Sequence, residues 1–90
     1  MIIKLKLRKG LDRKYSDIVA WIQRDTEFEK DMLGILEFFK DNIKISQKTR
    51  FHRYYKIKTS NLAVMISLIS TILEIIPETL IIEEYEKNLK

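Results

Sequence analysis

The sequence predicts an α+β domain, an antiparallel sheet with helices packed on one of its faces, in the order β-α-α-β-α-β. Three observations carry this. Ile2 to Arg8 alternates strictly, with Ile3, Leu5 and Leu7 facing one way and Lys4, Lys6 and Arg8 the other, which is a strand with one buried face. Phe28, Met32, Ile35, Leu36 and Phe39 recur at three- and four-residue spacing, the apolar stripe of a helix. Two glycines and one proline in 90 residues leave little chain for flexible linkers, so most residues belong to regular elements of a single domain, 1–90.

Each element follows from local chemistry. Gly10 ends the first strand, and Asp12 to Arg24 reads as a helix whose apolar side is Ile18, Val19, Trp21 and Ile22. Asp25 or Thr26 can cap a second helix, Glu27 to Asp41, by offering a side-chain oxygen to its free amides. Gly34 within that helix costs about 1 kcal/mol against alanine and serves either close packing or a break. Residues 42–49 are polar and read as irregular, with Ile43-Lys44-Ile45 as a candidate short strand. Arg50 to Lys58 reads as a strand with Phe51, Arg53, Tyr55 and Ile57 on one face and Arg50, His52, Tyr54, Lys56 and Lys58 on the other. Ser60 or Asn61 caps a third helix that Pro77 stops, and Thr79 to Glu86 closes the chain as a strand.

That third helix is apolar almost all round, with Ser67, Ser70, Thr71 and Glu74 forming one narrow polar strip. A membrane span needs roughly 20 apolar residues. Asn61 to Ile76 falls short and carries those polar groups, so a core helix, covered by a sheet, by other helices or by a second subunit, is the better reading. Met1-Ile2-Ile3 followed by alternating lysines does not read as a secretory leader. The absence of cysteine excludes disulfides and thiolate metal sites and fits a cytoplasmic location.

The net charge of +4 is unevenly placed. Residues 1–11 hold Lys4, Lys6, Arg8 and Lys9 with no acid, and residues 42–73 hold Lys44, Lys48, Arg50, Arg53, Lys56 and Lys58 with no acid. Lysines and arginines displace counterions from phosphates, while Tyr54, Tyr55 or Phe51 can stack on exposed bases. The candidate nucleic-acid-binding residues are therefore Lys4, Lys6, Arg8, Lys9, Lys48, Arg50, Arg53, Tyr54, Lys56 and Lys58. The competing reading is an ordinary solvated sheet face or a charged edge. If the last strand lies beside the first, Glu83, Glu84 and Glu86 can stand across from Lys4, Lys6 and Arg8 and neutralise them.

Ile2 to Gly10, followed by Asp17-Ile18 and Trp21-Ile22, resembles the opening of the ribbon-helix-helix DNA-binding family over residues 2–41. The resemblance implies a homodimer in which the first strand of each subunit pairs with its copy to form a ribbon that enters the major groove. Lys4, Lys6 and Arg8 match the outward ribbon positions, and Thr26 matches a residue at the start of the second helix whose amides grip a phosphate.

Catalysis is not expected. His52 is the only histidine, has no cysteine partners, and would need a cleft that holds it beside a carboxylate. Glu83, Glu84 and Glu86 read as solvated, Trp21 as core, and Gly10 and Gly34 stand alone rather than in a phosphate loop. No metal or other cofactor is expected. The leading expectation is a small, non-enzymatic regulator that binds DNA or RNA through basic strands, as a homodimer. The alternative is a protein-interaction module, an inhibitor, adaptor or assembly subunit, using the apolar third helix or a sheet edge. Neither reading involves a membrane.

Overall fold

The strand order is β3-β4-β2-β1-β5 in one five-stranded mixed sheet. A computed structural model describes residues 1–9, 16–47, 49 and 51–85, with backbone alone at 7–9, 16–17 and 84–85. The strands are β1 (Ile2–Lys9), β2 (Ser16–Gln23), β3 (Lys44–Ser46), β4 (Tyr54–Thr59) and β5 (Leu80–Tyr85). The helices are α1 (Glu29–Phe39), entered through a 3-10 turn at Thr26–Phe28, and α2 (Leu62–Ile75).

The α+β class stands, with two corrections. Residues 16–23, inside the stretch read as the first helix, form β2, antiparallel to both β1 and β4. The physical reason lies in its central position. Ile18, Ala20 and Ile22 join the core beneath the helices, while Val19 and Trp21 occupy the opposite face. A strand with apolar residues on both faces loses the alternation that identifies a strand, and its β-branched and aromatic residues are then the better guide. The sheet is also not wholly antiparallel, because β5 runs parallel to β1. A parallel return needs a crossover of a dozen or more residues, and α2 supplies 14 between β4 and β5. The order is accordingly β-β-α-β-β-α-β.

One face of the sheet carries the core. Ile3, Ile18, Ala20, Ile22, Tyr55 and Ile57 alternate along their strands and pack with Met32, Ile35, Leu36 and Phe39 of α1 and Met65, Leu68, Ile69 and Ile72 of α2. Burying each large aliphatic side chain is worth roughly 1.5–3 kcal/mol, which holds both helices to this face. Among the described side chains, Thr59 is the buried polar exception. Its hydroxyl donates to the Asn42 carbonyl at 3.1 Å and accepts the Asn61 N–H at 3.1 Å, tying β4 to the loop before β3 and to the start of α2. Asn61 then caps α2, its Oδ1 accepting from Ala63 N at 3.0 Å and Val64 N at 3.4 Å. Asp25 Oδ1 accepts from Glu27 N in the 3-10 turn. No helix among the described residues is long and apolar enough to cross a membrane.

Candidate nucleic-acid interface

The face of the sheet opposite the helices is built from the other half of each alternation. Register sets its central row as Ser46, Lys56, Trp21, Lys4 and Ile82, running from β3 to β5. The next row is Lys44, Lys58, Val19, Lys6 and Glu84. On the other side of the central row, Tyr54 pairs with Gln23, and Ile2 with Leu80. This face thus brings Lys4, Lys6, Lys44, Lys56 and Lys58 together with Trp21 and Tyr54.

The lysines are arranged over the rings. Lys56 Nζ lies 5.8 Å from the Trp21 ring centroid, and Lys4 Nζ lies 5.6 Å from that of Tyr54. Lys4 pairs with Trp21 across β1 and β2, so its ammonium spans β2 to reach a ring on β4. Val19 is completely buried although it lies on this face. Its row neighbours are Lys6 and Lys58, whose four-carbon stems are long enough to cover it.

The last strand does lie beside the first, but its register limits neutralisation. Ile82 falls beside Lys4, Glu84 beside Lys6, and Glu83 beside Leu5 in a helix-side row. Asp17 pairs with Arg8 at the far end of the β1–β2 hairpin. Glu84 and Asp17 hold register positions toward one end of the lysine rows, and the central row has no acid. β1 is paired on both edges, to β2 and β5, so the ribbon with a second copy that the family resemblance implies has no free edge in this sheet.

Of the ten sequence-predicted residues, Lys4, Lys6, Tyr54, Lys56 and Lys58 share the open face. Arg53 does not. It precedes β4, and its carbonyl accepts the Arg24 N–H at 2.8 Å. The side chains of Arg8 and Lys9, and all of Lys48 and Arg50, lie outside the described residues. Two ring assignments change. Tyr55 is buried on the helix side, where the Arg24 guanidinium stacks 4.2 Å from its ring centroid, and Phe51 stands in the loop before β4, 96% exposed. Trp21, read as core, is a half-buried member of the open face, and Lys44 joins it through β3. The short Ile43-Lys44-Ile45 alternation was the signal for Lys44. Trp21 has no such signal, because its run is apolar at every position from Ile18 to Ile22.

A separate cleft of about 410 Å³ opens where β2 ends and β4 begins, and His52 lines it together with Asp25, Glu29, Arg24 and Arg53. Asp25 already serves the 3-10 turn, and Arg24 Nη2 donates to the Gln47 carbonyl at 2.6 Å. Arg24 Nε is buried without a hydrogen-bond partner. No group of three or more His, Cys, Asp or Glu among the described residues is placed to hold a metal ion. No family model, no curated protein and no solved structure matches this chain.

Proposed function

We propose that this protein is a small, non-enzymatic nucleic-acid-binding regulator that uses the open face of its sheet. The observation that carries the reading is the row Ser46–Lys56–Trp21–Lys4–Ile82, which is basic, aromatic and free of acid, with Lys44, Lys58 and Lys6 in the next row, which ends at Glu84. Such a face neutralises phosphates and releases their counterions. Charge on the other layer supports the same orientation. The exposed acids of α1, Asp31 and Glu37, are offset by Lys30 and by Lys40, which pairs with Glu37 at 2.7 Å, so the helix layer offers no comparable basic surface. The cysteine-free composition suits a reducing compartment such as the cytoplasm.

Fluorescence anisotropy of labelled oligonucleotides over a salt series tests this. Binding weakens steeply as salt rises from about 50 to about 200 mM, and each lysine that loses a phosphate contact lowers the log–log salt slope by about 0.7 on a single strand. The variant pair Lys4→Gln and Lys56→Gln flattens that slope. No binding at the low-salt end removes the reading.

A protein-interaction module is the second reading, favoured by Leu62 and Ile66, one turn apart on α2 and more than half exposed. Exposed apolar pairs of this kind can mark a docking surface when they extend into a patch. Sedimentation of the free protein decides between them on this point. A dimer that Ile66→Glu dissociates supports a docking surface on α2 and the homodimer expected with the leading reading, and a monomer at all concentrations argues against both.

A further inference from the structure

The two rings on the open face stand on neighbouring strands in a diagonal relation. Trp21 pairs with Lys56, and Tyr54 is two residues before Lys56 on β4, beside Gln23. Diagonal cross-strand neighbours are ~7–8 Å apart, about twice the ~3.4 Å rise between stacked nucleotides on one strand. Bases inside a helical stack have both faces covered by their neighbours, so they cannot lie on either ring. Bases that have come apart can.

Each ring also carries a removable cover. The ammonium groups of Lys56 and Lys4 sit 5.8 Å and 5.6 Å from the Trp21 and Tyr54 centroids. A cation over a partly exposed ring is a weaker partner than a stacked base. A base that takes the ring frees the ammonium, which remains on a flexible stem next to the phosphate that arrived with the base. Leu80 and Ile82 widen the platform toward β5, where Ile82 lies in the row of Lys4 and Trp21. A duplex presents none of its base faces and would meet the lysines alone.

We infer that Trp21 and Tyr54 are stacking platforms for two unstacked bases of a single-stranded nucleic acid, with Lys56 and Lys4 as caps that leave the rings for the phosphates. This rests on the sheet-face reading above and narrows its substrate to single strands.

Trp21 is the only tryptophan, so its emission reports on this site alone. The intact chain is titrated at low salt with oligothymidylate, oligouridylate and a short duplex, following Trp21 emission and, separately, the anisotropy of a labelled strand. Saturable quenching by single strands, with the duplex bound more weakly and without quenching, is the expected result. Whichever of the two strands quenches at lower concentration identifies DNA or RNA as the source. Trp21→Leu and Tyr54→Leu each weaken single-strand binding by about tenfold, as loss of one stacked base requires. Trp21→Phe retains most of the affinity because it keeps a ring, and circular dichroism of each variant checks that it folds. Single-strand binding with unchanged Trp21 emission and unchanged affinity in folded Tyr54→Leu overturns the inference while leaving a basic sheet face in place. No binding of any nucleic acid overturns both.

Discussion

Lys56 places its ammonium 5.8 Å from the centroid of the Trp21 ring, in the row of the sheet where the two residues are register partners. A partly exposed contact of this kind contributes about 0.5–1 kcal/mol. Lys56→Met keeps the aliphatic stem over the ring and removes the charge. Urea denaturation of Lys56→Met is expected to show a loss of about 1 kcal/mol or less. A loss several times larger would mean that Lys56 has a structural role and that the open face is less available for binding than described.

Gly34 sits inside α1, and a Cβ built there meets nothing within 4 Å. Neither close packing nor a break explains it, since α1 runs unbroken from Glu29 to Phe39. Gly34→Ala is therefore expected to stabilise the protein by about 1 kcal/mol. The melting temperature rises by roughly 4–8 °C per kcal/mol for a domain of this size. An unchanged or lowered midpoint in differential scanning calorimetry contradicts the described surroundings of α1.

Thr59 is buried, and its hydroxyl joins Asn42 to Asn61. Thr59→Val preserves the shape but leaves a carbonyl and an N–H without their partner, at about 1–3 kcal/mol. Thr59→Ser keeps both bonds and loses one methyl. Denaturation curves should rank wild type above Thr59→Ser and Thr59→Ser above Thr59→Val. Equal stability of the valine and serine variants would show that the hydroxyl bonds contribute nothing net.

Those three sites show what was legible in the sequence. α1 and β1 are readable because each has one dry and one wet side, and α2 because the Asn61 cap and Pro77 mark its ends. β2 was not readable. Ile18-Val19-Ala20-Trp21-Ile22 is apolar at every position because β1 and β4 flank it, the helices cover one face, and Val19 on the other face is also fully buried. Periodicity cannot separate such a run from a buried helix. The same error hid Trp21 from the candidate site, although half of the ten predicted residues converge there. Strand order was equally out of reach, because it depends on pairing across distant parts of the chain rather than on local pattern.

Ala20 offers a direct check on that corrected element. It is fully buried at the helix-side centre of β2, between Leu5 and Ile57 in register. Ala20→Leu forces three extra heavy atoms beneath the helices, and overpacking of this kind costs about 1–3 kcal/mol. Thermal denaturation should show that loss. A neutral or stabilised Ala20→Leu variant would indicate room at this position that the sheet does not have.

The central claim is that the open sheet face, and not the helix layer, meets nucleic acid. Nuclear magnetic resonance of isotope-labelled protein titrated with a single-stranded oligonucleotide tests it most directly. Shifts should cluster on Lys4, Lys6, Trp21 with its indole N–H, Tyr54 and Lys56, and leave the exposed side of α2 around Leu62 and Ile66 in place. Shifts confined to α1 and α2, or none at low salt, would contradict it.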